Sequence, residues 1–232
     1  MRKQRGFTLI EIAIVLVIIG LLLGGVLKGQ ELITAARVRN LISQQDGVKA
    51  AYFGFLDRFR ALPGDYSQAT VNIANVTANG NNNGQIEITG ACGSVAGCQP
   101  GEFITIWEHL SRSGFINGSY TYAATESNTS APTNPYARYL RLVYDTAYSD
   151  VGTPAPRHNL KTGNQIPSDL MAEIDRKIDD GNPQGGTFRF TTYDGGGTGG
   201  ATPAATCINT TGATPVWSST TIDTNCGGTS LF

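Results

Sequence analysis

The feature that most constrains this chain is an almost unbroken apolar run near its beginning, from Phe7 to Leu27. About 20 apolar residues are enough to cross a bilayer as one helix. Glu11 is the only ionisable residue of the run, and an ionised carboxylate at bilayer depth costs about 2.5–3.5 kcal/mol. The sequence therefore predicts a membrane-spanning helix in which Glu11 needs a partner.

The residues on either side of the run set its orientation. Arg2, Lys3 and Arg5 precede it, and basic flanks stay cytoplasmic, so the rest of the chain is expected outside the inner membrane. A secretory signal would have a shorter apolar stretch and a small-residue cleavage site after it, whereas Lys28-Gly29-Gln30 follows here. A plain membrane anchor is the other alternative, but it leaves Glu11 without a partner.

Gly6-Phe7-Thr8-Leu9-Ile10-Glu11 joins the basic start to the apolar run. This motif resembles the beginning of type IV prepilins and type II secretion pseudopilins, and the resemblance is strongest over residues 6–65. It implies that prepilin peptidase cuts between Gly6 and Phe7 and that Phe7 is N-methylated. It also implies that Glu11 pairs with the free amine of Phe7 in a neighbouring subunit, an amine that only cleavage creates.

The resemblance and the pattern together divide the chain into three parts. We expect a leader peptide at 1–6, a transmembrane and amphipathic helix at 7–62, and an extracytoplasmic globular head at 63–232. The expected fold class is α+β, with the long helix packed on an antiparallel β-sheet head, the lollipop of type IV pilins. Three glycines near the membrane exit leave open whether the helix melts there: Gly24, Gly25 and Gly29.

The head shows weaker periodicity. Helices are predicted at 101–114 and at 168–179, the second with Ser168 as its N-cap. Strands are predicted at 136–145 and 187–193 because apolar and polar residues alternate there. Residues 66–100 are predicted as loop, 194–200 as a flexible turn, and 207–232 as a disulfide-held strand pair or ordered loop.

Charge and motifs exclude several function classes. Residues 61–232 contain eight Lys or Arg and fourteen Asp or Glu, so we expect no nucleic-acid binding by the subunit alone. The sequence contains no G-x-S-x-G, H-E-x-x-H or P-loop motif. His109 is interpreted as a partly buried surface histidine on a helix and His158 as part of a proline-flanked loop. The sequence therefore predicts no enzyme.

The four cysteines fall into two pairs, Cys92 with Cys98 and Cys207 with Cys226. Four cysteines allow three disulfide connectivities. We favour these two pairs because each closes a local loop, the second contributing about 3 kcal/mol on the chain-entropy model. Neither pair has the spacing of a zinc site.

Two polar clusters are candidate cation sites. Asn79, Asn81, Asn83 and Glu87 place oxygen ligands at positions one, three, five and nine of an EF-hand-like calcium loop. The last ligand position is Gly90 and the first three ligands are neutral, so a metal-free Asn/Gly turn is favoured over calcium. Asp175 and Asp179 form a weaker candidate at one helix end, where a solvated surface is the favoured interpretation.

These observations predict a structural subunit, a pseudopilin or minor pilin of a type IV pilus-like or type II secretion filament. The expected partners are like subunits, prepilin peptidase, a platform protein and an assembly ATPase, at the bacterial inner membrane with the head in the periplasm or on the cell surface. No cofactor is required, and calcium is the one ligand that the sequence suggests. The alternative is a membrane-anchored adhesin or calcium-dependent binding module that does not polymerise.

Overall fold

The computed structural model describes residues 8–196, 204–212 and 214–232. The chain divides into two compact units, residues 1–39 and residues 40–232. One helix, α1, runs through parts of both, from Leu9 to Phe59. It is helical at the three glycines near residue 25, because glycine weakens a helix without forbidding it.

Helix α1 ends where the backbone turns left-handed. Arg60 has a φ of 54°, a conformation that commonly terminates helices. Pro63 follows three residues later and cannot continue a helix. The second unit then adds short helices and strands: α2 (Ala69–Asn72), α3 (Glu102–Arg112), β1 (Arg141–Asp145), β2 (Arg157–Lys161), α4 (Ser168–Ile178), β3 (Phe188–Phe190), α5 (Ala204–Cys207), β4 (Ile208–Asn209), β5 (Val216–Trp217) and β6 (Gly228–Leu231).

Four strands form one antiparallel sheet in the order β1-β2-β6-β3, and β4 pairs with β5 in a small second sheet. Strand β2 pairs with β1 through Leu142 opposite Leu160 and with β6 through Leu160 opposite Ser230. The C-terminal strand therefore lies inside the sheet, between β2 and β3. The long N-terminal helix and the antiparallel sheet confirm the predicted α+β fold.

The core of the second unit lies between the later turns of α1, helix α3 and the sheet. Phe55 and Trp107 are fully buried there, together with Leu142 and Leu160 from the strands. The ring of Tyr52 meets that of Phe232, which follows β6, with centroids 5.0 Å apart. The apolar stripe of α1 is thus covered by the sheet, as its amphipathic pattern requires.

Several local predictions are wrong. Residues 157–161 form β2, so His158 lies in a strand and not in a loop. The N-cap of helix α4 is Pro167, which has no side-chain acceptor and makes no capping bond. Ser168 lies inside the helix, and its hydroxyl donates to the carbonyl of Ser218. The predicted loop at 66–100 contains the short helix α2. Part of the predicted turn, residues 197–200, lies outside the described residues.

Candidate functional site

The N-terminal end of α1 holds the predicted assembly residue in a closed local arrangement. The backbone N–H and the hydroxyl of Thr8 both donate to Oε2 of Glu11, each at 2.8 Å. In return, the backbone N–H of Glu11 donates to the Thr8 hydroxyl oxygen at 3.4 Å. Thr8-Leu9-Ile10-Glu11 therefore forms a capping box, which satisfies backbone donors at the helix start.

This capping role is one that the sequence analysis missed, although the T-x-x-E spacing is its known signal. It gives Glu11 a function within its own chain. The carboxylate is nevertheless exposed, so it can meet a group from another molecule. Gly6 and Phe7, the predicted cleavage and methylation positions, lie outside the described residues.

The surface of α1 from Leu9 to Leu27 is apolar and exposed. Leu9 is 89% exposed and Leu21 74%, and no residue of the most apolar 18-residue window is buried. By length and composition, α1 is the one helix among the described residues that could cross a membrane. An exposed apolar surface of this extent indicates a lipid or protein partner.

Residues 1–27 match the family model described as the prokaryotic N-terminal methylation motif. This is the prepilin-type signal of type IV pilins and pseudopilins, so the resemblance seen in the sequence is confirmed for this segment. The motif supports a type IV pilin-like or pseudopilin precursor. The chain has no significant match among curated proteins or among solved structures.

The structure brings three of the four proposed calcium ligands together. The side-chain amides of Asn81 and Asn83 both donate to Oε2 of Glu87, at 3.2 and 2.8 Å. Asn79 is buried and bonds elsewhere, to Thr70 and to the carbonyl of Ala96. The side-chain oxygens of Asn81 and Asn83, which are the atoms that would bind a cation, accept the backbone N–H groups of Asn83 and Gln85, each at 2.9 Å. The loop is therefore held as an Asn-rich turn by its own hydrogen bonds.

Two further carboxylates organise this loop, and the sequence analysis missed both. Asp65 accepts the backbone N–H groups of Asn83 and Gly84 at 2.9 and 2.8 Å. Glu102, on α3, accepts those of Asn81 and Glu87 at 2.8 and 3.1 Å. Burial raises the pKa of Glu102 to about 7 and also raises the pKa of Asp65.

Helix α3 contributes two more buried polar side chains to the same segment. Glu108 accepts the N–H and the hydroxyl of Thr77 at 3.1 and 2.9 Å. His109 accepts the N–H of Gly64 at Nδ1, and its Nε2 lies 2.9 Å from the carbonyl of Ala78. His109 is fully buried, so its interpretation as a surface histidine is wrong, and burial lowers its pKa to about 4.

The second acidic cluster lies at the end of α4. One carboxylate oxygen each from Asp175, Asp179 and Asp180 lies within 4.8 Å of the others. Asp175 is buried and accepts the indole N–H of Trp217 at 2.7 Å, and burial raises its pKa to about 6. Asp179 accepts the backbone N–H of Phe188 at 2.8 Å and interacts electrostatically with Lys49. These carboxylates thus have protein partners.

The structure contains two disulfides, Cys92–Cys98 and Cys207–Cys226. They are the two pairings that close local loops. The second joins the α5–β4 segment to the residues just before β6, and its sequence separation of 19 residues makes it the larger constraint on the unfolded chain. Oxidised cysteines are not thiolate ligands for zinc.

Proposed function

We propose that this chain is the precursor of a pseudopilin or minor pilin. Prepilin peptidase would cut it between Gly6 and Phe7 and methylate Phe7, and α1 would then pack with the same helix of other copies in a filament. The observation that carries the proposal is the methylation motif at residues 1–27, followed directly by an exposed apolar helix surface. Proteins with this motif are structural components.

The exposed helix supports assembly because its apolar surface needs partners of the same polarity. In the membrane before assembly, lipid supplies that partner. In a filament, neighbouring copies of residues 9–27 supply it, and a bundle excludes water from Glu11. The cost of an ionised carboxylate in such a bundle is offset if a positive group pairs with it.

The partner that we propose for Glu11 is the free amine of Phe7 in an adjacent copy. Both Thr8 donors bind Oε2 of Glu11, and a carboxylate has lone pairs for further donors on its two oxygens. A neighbouring ammonium group can therefore pair with Glu11 while the capping box stays closed. Cleavage at Gly6 supplies the amine, and prepilin peptidase, a platform protein and an assembly ATPase are the proposed machinery.

The N-terminus of the mature protein tests the first step. Mass spectrometry of the chain purified from the cells that produce it should give an N-terminal Phe7 carrying one methyl group. An intact Met1, or a cut after Leu27, would contradict the proposal and favour a plain anchor or a secretory signal.

Three variants test the role of Glu11. We expect Glu11→Ala to enter the membrane but to be lost from filaments. Glu31→Ala is the matched control, because Glu31 is an exposed acid on the same helix, paired with Lys28 at 2.6 Å. Thr8→Ala removes the capping partner and should keep filament incorporation. Equal losses in Thr8→Ala and Glu11→Ala would mean that Glu11 only caps the helix.

A further inference from the structure

The two disulfides differ in how far solvent reaches their sulfur atoms. Cys207 and Cys226 are fully buried, whereas Cys92 and Cys98 are partly exposed. Except for one valine, the residues between the latter two are small and exposed: Gly93, Ser94, Ala96 and Gly97. Thiol–disulfide exchange needs access of the attacking thiolate to a sulfur atom. The Cys92–Cys98 disulfide is therefore the one that a reductant reaches in the folded chain.

The charged residues near the two disulfides differ as well. A carboxylate oxygen of Asp223 lies within 4.8 Å of the sulfur atoms of both Cys207 and Cys226. A carboxylate repels an attacking thiolate and disfavours the thiolate that leaves. The stretch of sequence between Glu87 and Glu102, which contains the other disulfide, has no Asp, Glu, Lys or Arg. The sequence neighbours of that disulfide therefore contribute no such repulsion.

The loop that the first disulfide closes, residues 92–98, holds the buried Asn79 in place. The backbone N–H of Asn79 donates to the carbonyl of Gly97 at 2.9 Å, and its side-chain amide donates to that of Ala96 at 2.8 Å. The carbonyl of Asn79 in turn accepts the N–H of Gln99 at 3.0 Å. Both acceptor carbonyls lie inside the 92–98 loop, so closure of this loop fixes their positions.

Asn79 also joins the 92–98 loop to helix α2. Its side-chain oxygen accepts the N–H of Thr70 at 2.9 Å, and its side-chain amide donates to the Thr70 hydroxyl at 3.0 Å. The backbone and side-chain groups of Asn79 thus all have partners. If the 92–98 loop opens, two donors of Asn79 lose their acceptors, and an unpaired buried donor is costly. Opening of the 92–98 loop therefore favours a rearrangement of Asn79.

The chain that follows Asn79 is anchored without the disulfide. Asp65 accepts the backbone N–H groups of residues 83–84, and Glu102 accepts those of Asn81 and Glu87. Neither carboxylate belongs to the 92–98 loop. Opening of the disulfide should therefore release Asn79 and leave the turn after it in place.

We propose that Cys92–Cys98 is a site of thiol–disulfide exchange with a dithiol reductant, and that its reduction releases Asn79. A thiolate of the dithiol attacks one cysteine sulfur and forms a mixed disulfide with it. The electron pair of the broken S–S bond goes to the other cysteine sulfur, which takes up a proton. The second thiolate of the reductant then attacks the reductant's own sulfur in the mixed disulfide and frees the first cysteine. Two electrons and two protons pass to the protein, and the reductant becomes a disulfide.

Graded reduction of the full chain in detergent tests the site of exchange. The chain is treated with dithiothreitol and quenched with N-ethylmaleimide, and mass spectrometry of its peptides identifies the labelled cysteines. We expect Cys92 and Cys98 to be labelled about tenfold faster than Cys207 and Cys226, while tryptophan fluorescence keeps its native value. Equal rates, faster labelling of the buried pair, or labelling only after the fluorescence reports unfolding would overturn the proposal.

Hydrogen exchange of the reduced chain tests the release of Asn79. We expect the backbone amides of Asn79 and Gln99 to exchange about tenfold faster after reduction. The amides of Asn83 and Gly84, which Asp65 holds, should keep their protection. Unchanged exchange at Asn79 would contradict the proposal, and so would equal acceleration at all four amides, because that result indicates general loosening.

Cysteine variants repeat the exchange experiment without a reductant. A Cys92→Ser, Cys98→Ser double variant should show the same faster exchange at Asn79. The matched control, Cys207→Ser with Cys226→Ser, should leave the exchange of this amide unchanged. Acceleration in the control alone would assign the protection of Asn79 to the other disulfide and overturn the proposal. None of these measurements requires a filament, so the exchange site and the proposed function are tested separately.

Discussion

Two helices of this protein invert the usual relation between polarity and burial. From Leu9 to Leu27, α1 is apolar and exposed. In α3, every residue from Glu102 to Leu110 is buried, including Glu102, Glu108 and His109. None of the described residues covers the apolar surface of α1 from Leu9 to Leu27. The polar groups of α3, by contrast, find hydrogen-bond partners in the segment 64–87.

The two helices therefore obtain their stability from different sources. The buried side chains of Glu102, Glu108 and His109 are tolerated because they accept backbone N–H groups of the 64–87 segment, and a buried polar group left unpaired would cost about 1–3 kcal/mol. An exposed apolar surface is tolerated only if another molecule covers it. The 40–232 unit should therefore be sensitive to loss of single polar contacts, and residues 9–27 should matter for association and hardly at all for the stability of that unit.

The free energy of unfolding of the full chain in detergent measures these contributions. The readout is the fluorescence of Trp107 and Trp217, the two tryptophans of the chain, which are both buried in the 40–232 unit.

Arg141→Met should give the largest effect. The Arg141 guanidinium pairs with Glu126 through two hydrogen bonds of 2.9 and 2.6 Å. It also lies over the rings of Phe103 and Tyr193, at 4.6 and 4.2 Å. The substitution leaves Glu126 buried without its cation, so we expect a loss of about 3–5 kcal/mol.

The control is the exposed ion pair of Lys177 with Glu173. Lys177→Met breaks this pair and should cost at most about 0.5 kcal/mol. Equal costs would contradict the role of burial.

Removal of the Cys207–Cys226 disulfide should rank second. In a Cys207→Ser, Cys226→Ser double variant we expect a loss of about 3 kcal/mol, because the unfolded chain gains the freedom of a loop closed over 19 residues. The matched variant without the Cys92–Cys98 disulfide, whose loop spans 6 residues, should lose less. A larger loss for the variant without the Cys92–Cys98 disulfide would contradict the chain-entropy explanation.

Glu102→Gln should change the pH dependence of stability. The ordinary pKa of 4.5 rises to about 7 in the folded protein because the carboxyl group is buried. The folded state therefore binds the proton more tightly, and this contribution is complete below about pH 4.5 and is lost as the pH rises to 7. Its slope reaches at most about 1.4 kcal/mol per pH unit. Glu102→Gln should remove this slope, whereas the exposed control Glu173→Gln should keep it.

Leu16→Asp should have the smallest effect on unfolding. Leu16 is 65% exposed in the apolar helix, so the unfolding of the 40–232 unit should change by less than about 0.5 kcal/mol. Membrane retention should fall, because a carboxylate at mid-span costs about 2.5–3.5 kcal/mol. Measuring the membrane-bound fraction of the same variant separates the two effects. A large loss of stability would contradict the contrast between the two helices.

Elements with a local apolar pattern could be predicted from the sequence, and elements without one could not. The amphipathic pattern placed α3 and α4 within one or two residues, because an apolar stripe is a local property of the sequence. Strand β6 was missed as a member of the main sheet, since Gly228-Thr229-Ser230-Leu231 has no apolar alternation. A Cβ atom added at Gly228 would lie 2.4 Å from the ring of the fully buried Phe188, so a larger residue there would displace a core side chain.

In the candidate sites, too, contacts between residues distant in sequence could not be predicted. The spacing from Asn79 to Glu87 was visible in the sequence, but the acceptors that hold this loop, Asp65 and Glu102, are 14 residues before its start and 15 after its end. His109 was misjudged because Gly64 and Ala78, its bonding partners, are distant in sequence.

The sequence by itself determined the apolar helix, its basic flank and the methylation motif, because these depend only on the order of adjacent residues. Tertiary structure alone decided the place of β6, the burial of His109 and the contacts of Asp65 and Glu102 with the 79–87 loop. Each of these depends on which distant segments meet, and the free energy of those contacts is set by burial and by hydrogen-bond pairing that no short stretch of sequence encodes.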